Sequence, residues 1–576
     1  MFLHFVKAQA GRRAGARRRQ ARRWGVHIAL SSAGESVVAV ELDGALAEVA
    51  RHELGRDTLA AWIAEREPQH PRWVWGDSSR WHAELLAEGV RVERAHDLRL
   101  CRRILRGSTH MRGTALARAP RDDWDAPALE RAAVRRDGLF DLEPAAAPEP
   151  DPVEELRRQR AAVADSDAPG RLTLLLAAES VGALIAAEMR FAGLPWNAER
   201  HDDILTEALG PRPAPGERPA LMTAKLAELR DALGVDDVNP ESQPSLLRAL
   251  QSAGLRVQST SKWELRGLEH PAIAPLLEYK SLQRLFTANG WNWLDEWVHD
   301  GRFRPVYVPA GVVTGRWASD GGGALQLPKS VRAAVVADPG WTFVVADAAQ
   351  LEPRVLAAMS GDLAMARAGQ AHDMYEGMVT SGAVESREQA KYGMLGAIYG
   401  GTTGESGRMR PRIARAFPRA MEFVEAAARA GERGESVTTW LGRSSPAGSA
   451  ANYDETRTDA EQRRARTDSA AWGRFTRNFV VQGTAAEWAL CWMGALRRRL
   501  WTIGGGDSLA EPVTGRPHLV FFLHDEVIVH TPQAHAPAVE AALRDSAAEA
   551  GRLLFGDGPV EFALSVITTA NYAEAK

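Results

Sequence analysis

The run FFLHDEVIVH, residues 521–530, constrains the fold more than any other stretch. Apolar residues rich in Phe, Val and Ile flank a polar break at His524, Asp525 and Glu526. Each run is too short for a helix, so the segment predicts two half-buried strands around a tight turn. Turns need polar residues and Asp forms them well, so a solvated surface hairpin accounts for the charges taken alone. The hairpin can instead hold a carboxylate rigidly at a sheet edge for a metal ion, which requires a second carboxylate from elsewhere in the chain.

A candidate second carboxylate lies in WTFVVADAAQLEPRVLAAMSGD, residues 341–362. Phe343, Val344, Val345 and Ala346 predict a buried strand with Asp347 at its end, and Pro353 is tolerated in the first turn of the helix that follows. Asp347 could simply cap that helix, and Glu352 and Arg354 could be solvated helix residues. The pairing favours chemistry: two strands, far apart in sequence, each deliver a carboxylate. Such pairs suit two divalent ions about 3.5–4 Å apart in phosphoryl transfer, and Mg²⁺ favours a few carboxylates plus substrate phosphates.

Between these strands, SREQAKYGMLGAIYGG (386–401) spaces Arg387, Lys391, Leu395 and Tyr399 by four, a helical stripe about 18 Å long. Two like charges one turn apart disfavour a helix by roughly 0.2–0.5 kcal/mol unless an anion sits between them. Glycines flank the stripe, and each is unfavourable in a helix by about 1 kcal/mol unless something approaches closely. A triphosphate on the cations with a base stacked beyond explains both features; a solvated basic face explains only the first. In WGRFTRNFVVQGTAAEWALCWMGALRRRLW (472–501), Arg474, Asn478 and Gln482 again recur every four residues. That face is either merely exposed or suited to the minor groove, where every base pair offers acceptors.

The chain of 576 residues holds several domains' worth of core. Its net charge of −3 says little about partners. Two cysteines, Cys101 and Cys491, fit a reducing compartment and exclude a disulfide framework or a thiolate zinc site. The most apolar stretch, 172–189, is interrupted by Glu179 and Glu188 and predicts a buried or amphipathic helix, not a membrane span.

Taken together and in order, these stretches resemble family A DNA polymerases, the group of bacterial DNA polymerase I, over residues 172–576. VVADAAQLEPR resembles the first palm motif, REQAKYGMLGAIYGG the fingers helix, RNFVVQGTAAE the helix gripping primer and template, and FLHDEVIVH the second palm motif. TGRWASDGGGALQLP, residues 314–328, resembles the segment before the first palm strand. The resemblance implies a right-hand polymerase fold: an antiparallel palm sheet at about 301–375 and 480–576, helical fingers at about 376–479 and a helical thumb at about 172–300. The fold class is thus multidomain, α/β and α+β.

By position, the resemblance implies a catalytic set of Asp347, Asp525, Glu526 and Lys391, with Asp347 and Asp525 binding two Mg²⁺ ions. Arg387, Lys391, Leu395, Tyr399, Glu352 and Gln350 would form the nucleotide site, with Glu352 closing it against a ribose hydroxyl. Arg316, Gln326, Arg474, Asn478, Gln482 and His524 would hold DNA. The implied reaction is primer extension on template DNA with dNTPs, releasing pyrophosphate. The setting expected is DNA replication or repair by a cytoplasmic, nucleoid-associated bacterial monomer with no membrane association. Ala348 and Ala349 replace the usual Tyr-Ser, Pro353 a usual Leu, and Leu395 the usual aromatic; these changes bear on rate and selectivity.

Residues 24–140 resemble the family's 3′→5′ exonuclease fold, and AHDLRLCRRIL (95–105) resembles one of its internal segments. The Asp-x-Glu strand has no counterpart, His82 stands where a second-motif Asp belongs, and no Tyr-x-x-x-Asp signature follows. A two-metal nuclease needs those carboxylates, so the domain reads as degenerate, without proofreading. Residues 141–171, rich in Pro, Ala and charge, read as a linker. Residues 1–23 read as a disordered basic leader or an upstream-start extension, and no 5′-nuclease domain is expected. Two rivals stand beside this reading: a single-subunit RNA polymerase, opposed by Glu352, and a non-catalytic DNA-binding protein on a polymerase scaffold, opposed by retention of Asp347, Asp525, Arg387 and Lys391.

Overall fold

Where the sequence places short β-branched and aromatic runs, the chain forms, among the described residues, a five-stranded and a four-stranded sheet that are packed by helices, beside two smaller ones. The structure, a computed structural model, describes residues 27–126, 149–370, 373–401, 404–448, 459–504 and 513–575. The basic leader at 1–23 and the first residues of the expected linker lie outside the described residues. Contacts divide the chain into two units. The first comprises the chain up to Ala192, Tyr307–Ser319 and Val344–Thr568; the second comprises Gly193–Val306, Asp320–Phe343 and the residues from Thr569 onward.

The N-terminal part of the first unit is a five-stranded mixed sheet of β1 (His27–Ala33), β2 (Ser36–Leu42), β3 (Glu48–Gly55), β4 (Arg72–Trp75) and β5 (Ala95–Asp97), in the order β3-β2-β1-β4-β5. Strand β1 pairs antiparallel with β2 and parallel with β4. Gly34, at φ 66°, closes the β1–β2 turn. Helix α1 (Ser78–Ala87) starts on Asp77, whose carboxylate accepts from Ser79 N, and packs Trp81 and Leu85 onto Trp73 and Trp75.

Residues 152–164 correct the reading of 141–171 as a structureless linker. They form helix α2 (Pro152–Ala164), with Asp151 as N-cap and Pro152 in the first turn. Val153 and Leu156 join a core with Leu98 and Trp124. Its polar residues mislead at the level of composition because they are bonded inward: Glu155 pairs with buried Arg102 at 2.7 Å, and Gln159 donates to Leu98 O at 2.8 Å. Helix α3 (Pro169–Ala192) follows and belongs to the first unit. It is long and apolar enough to cross a membrane by length and composition, but 78% of its apolar window is buried within the protein. Its two interrupting acids are paired, Glu179 with Arg443 and Glu188 with Arg91 and Arg497.

The second sheet has four strands, β6 (Trp341–Ala348), β7 (His518–Leu523), β8 (Glu526–Pro532) and β9 (Leu564–Thr569), in the order β7-β8-β6-β9. Both hairpin strands are almost wholly buried rather than half-buried, because α3 and the long helix α8 (Asp459–Thr502) pack on β7 while α9 (Ala536–Phe555) packs on β8. Helix α4 (Leu351–Ser360) continues from β6, and α5 (Arg387–Tyr399), α6 (Gly404–Ala416) and α7 (Pro418–Glu432) form a helical layer against α8. In the second unit, helices Ala198–Leu209, Ala220–Leu233, Gln243–Ser252 and Ile273–Asn289 bury Leu205, Leu229, Leu246 and Leu276 together.

Candidate active site

Burial along β6 falls off at one residue near its end: Phe343 to Ala346 are fully inside, whereas Asp347 is only partly covered. The hairpin behaves likewise. Leu523 pairs with Glu526, so the turn is His524-Asp525, and Asp525 is partly covered while Glu526 already belongs to the strand and is 1% exposed. Ala348 N donates to Asp525 O at 2.9 Å, which fastens the β6 end to the turn and sets the two aspartates side by side along the backbone. Two residues here adopt the left-handed region that non-glycine residues rarely occupy, His524 at φ 61° and Gln350 at φ 48°. Such conformations persist only where the surroundings fix them, and they cluster at functional sites. Gln350 Oε1 accepts from Met374 N at 3.1 Å, and buried Arg354 donates to Ala349 O at 2.8 Å and Glu561 O at 2.7 Å, which pins the strand-to-helix bend.

Glu352, in the first turn of α4, is the hub of the site. Its Oε1 accepts from Arg316 Nη2 and its Oε2 from the Tyr399 hydroxyl at 2.9 Å. The Gln482 side chain reaches the same hydroxyl. Burial and then the Glu352 carboxylate push the Tyr399 phenol up to about 12, so it remains a donor. Burial, reinforced by the Arg316 charge, lowers the His524 imidazole below its ordinary value. Four residues singled out from sequence, from four separate segments, thus join one hydrogen-bonded cluster centred on the Glu352 carboxylate.

On α5, Arg387, Lys391, Leu395 and Tyr399 are all exposed, while Ala390, Met394, Ala397 and Ile398 are buried on the opposite side. The stripe is as the spacing predicts, but the glycines have another cause. A Cβ on Gly396 would lie 2.7 Å from Ser406 Cβ, and one on Gly393 would lie 2.9 Å from Ile413 Cγ1. They admit helix α6, not a ligand. On α8, Arg474 is exposed and Asn478 and Gln482 are partly exposed along a face otherwise flanked by buried residues. The Asn478 Oδ1 atom is buried with no hydrogen-bond partner among the described residues. Gln326 lies on an exposed 3₁₀ turn of the second unit.

Sequence reading missed three features. Arg477, 3% exposed, donates to Ala397 O and to Glu425 at 2.9 Å, and Glu425 also pairs with Arg410, so α8 ties down the C-terminal end of α5. Its position beside the Arg474/Asn478 stripe was the available signal. Asp373 bonds Arg387 at 2.8 Å. In the second unit, a polar groove of about 500 Å³ is lined by Thr260, Ser261, Lys280, Gln283, Arg284 and Thr287. It combines residues from three separate segments that no periodicity links.

Residues 227–573, more than half the chain, match the family model of DNA polymerase family A. Among curated proteins, the chain is similar to DNA polymerase I of Chloroflexus aurantiacus, 28% identical over 52% of this chain and 32% of that protein. Thermostable DNA polymerase I of Thermus thermophilus is 28% identical over 51% of this chain and 36% of the relative, and that of Thermus aquaticus 26% over 64% and 41%. The matches therefore span well under half the length of these relatives. Among solved structures, the POL domain of Pol1 from M. smegmatis, in complex with DNA primer-template and dNTP, superposes with a TM-score of 0.67 over 96% of this chain and 97% of that one, at 17% identity. That likeness extends the shared fold across nearly the whole chain.

Proposed function

Because the chain belongs to DNA polymerase family A, we propose that it extends a primer 3′-hydroxyl on a DNA template, taking deoxynucleoside triphosphates and releasing pyrophosphate. The observation that carries the reading is the 2.9 Å bond from Ala348 N to Asp525 O, which fastens the residue after Asp347 to Asp525, both aspartates being partly exposed at the edge of an otherwise buried sheet. Two Mg²⁺ ions fit this donor set, since hard carboxylate oxygens from two rigid backbones leave room for substrate phosphates. Asp347 and Asp525 would hold them, and when bound they would neutralise charge on the attacking and leaving oxygens.

The remaining work falls to the chain's own side chains, and it is positioning rather than covalent chemistry. Arg387 and Lys391 grip the triphosphate, and the exposed Leu395 and Tyr399 continue the same stripe under the sugar and base. Glu352, held by Arg316 and Tyr399, places its bulk where a ribose 2′-hydroxyl would enter. Arg316, Arg474, Asn478, Gln482 and His524 donate toward the minor groove of the primer-template, and Gln326, on the second unit, is by itself a DNA contact in this proposal.

The N-terminal sheet is, in this proposal, a degenerate exonuclease-like domain without proofreading. Strand β1 (HIALSSA) carries no carboxylate, and His82 is buried against Glu188 at 3.2 Å. The setting proposed is gap filling or repair by a monomer in the cytoplasm. The test is extension of a labelled hairpin primer with Mg²⁺ and each dNTP singly. Incorporation of only the template-complementary nucleotide is expected, and failure to extend with all four dNTPs would overturn the proposal.

A further inference from the structure

Arg387, the first cation of the stripe, is 51% exposed at its side chain, yet it is held. Its Nε donates to Asp373 Oδ2 at 2.8 Å, and its Nη2 lies 2.8 Å from the same oxygen. The other carboxylate oxygen, Oδ1, is occupied too, accepting from Tyr375 N at 2.8 Å and Glu376 N at 3.3 Å as the N-cap of helix Met374–Thr380. That helix is anchored in turn to the strand-to-helix bend, through Met374 N and Gln350 Oε1. Glu376 stands farther from Arg387, at 3.9 Å, and the Tyr375 ring centroid lies 5.8 Å from the guanidinium carbon.

The geometry points to Asp373 as a positioning residue that braces Arg387 for the triphosphate; the inference rests on the nucleotide role proposed above. A guanidinium offers five N–H donors in a planar fork. The side-on pair uses Nε–H and one Nη2–H, and it leaves both hydrogens of Nη1 and the outer one of Nη2 for a bidentate grip on phosphate oxygens. A long exposed side chain loses rotamer freedom when it binds an anion, and a carboxylate that already orders it removes part of that cost. Asp373 is itself fixed, because both of its oxygens are bonded. Burial favours its neutral form, but Arg387 and the two backbone amides outweigh burial and hold the carboxyl below its ordinary range, so the brace is charged at neutral pH.

The test is a double-mutant cycle on Asp373→Asn and Arg387→Ala in the full chain. Asparagine caps a helix as well as aspartate does, so the helix Met374–Thr380 keeps its start while the amide group replaces the charge facing Arg387. Two readouts are taken: calorimetric affinity for inorganic tripolyphosphate, and KM against kcat for dNTP in hairpin extension. Asp373→Asn is expected to weaken tripolyphosphate binding and raise KM by about threefold or more with little change in kcat, and to add nothing in the Arg387→Ala background. Unchanged or tighter binding, or an equal effect with and without Arg387, would overturn the brace. If the wild-type protein fails to extend primers while the binding cycle keeps this pattern, the polymerase reading falls and the brace stands.

Discussion

Glu352 makes two bonds at once, to Arg316 and to Tyr399, and this decides what its removal does. Truncation takes away bulk that, in the proposed role, lies beside the incoming sugar, and it also frees two donors. Deoxynucleotide incorporation is therefore expected to fall somewhat in Glu352→Ala while ribonucleotide incorporation gains. The efficiency ratio of deoxy- to ribonucleotide use is expected to drop at least about tenfold, equivalent to about 1.4 kcal/mol of lost discrimination. Paired single-nucleotide extension assays measure it, and an unchanged ratio would remove Glu352 from the role of gate. The sequence anticipated this residue because the first palm motif carries it. It gave no sign that Arg316 would share the same carboxylate, since that contact depends on where a loop lies and not on any spacing.

At the scale of elements, helix α5 shows what periodicity can and cannot tell. Four-residue spacing identified the exposed stripe, because side chains four apart share a helix face whatever packs behind them. The glycines look the same in sequence whether a ligand or a neighbouring helix approaches, and here the neighbour is α6. Gly396→Ala would drive a methyl to 2.7 Å from Ser406 Cβ, so it is expected to destabilise the α5–α6 pair by about 1–3 kcal/mol. Chemical denaturation would record that loss, and a variant as stable as wild type would restore the ligand explanation. The palm strands were legible because long apolar runs bounded by polar turns have few other solutions. Helix α2 was not: its composition is that of a linker, and only the buried partner Arg102 makes Glu155 an interior residue.

Across the first unit as a whole, charges that sequence counts as solvent-facing serve as internal ties. Glu188 of α3 accepts from Arg91 at 3.0 Å and from Arg497 of α8 at 2.8 Å, with His82 at 3.2 Å, and Arg497 also donates to Glu93 O at 2.7 Å. The two guanidinium groups hold the Glu188 carboxyl well below its ordinary value despite burial. His82, expected from the sequence to stand where a proofreading domain would carry a metal ligand, thus takes part in a knot that joins helix α1 to two long helices. The purified protein is accordingly expected not to shorten a mismatched, 3′-labelled primer in Mg²⁺ or Mn²⁺ without nucleotides, and degradation lost on deleting residues 24–140 would refute this. The central claim, that Asp347 and Asp525 form one metal-dependent polymerising centre, is tested most directly by primer extension with the wild type, Asp347→Ala and Asp525→Ala side by side. Primer-template affinity and melting temperature are measured on the same preparations. Extension is expected to vanish in both variants while affinity and melting stay close to wild type, and full extension by either variant would contradict the claim.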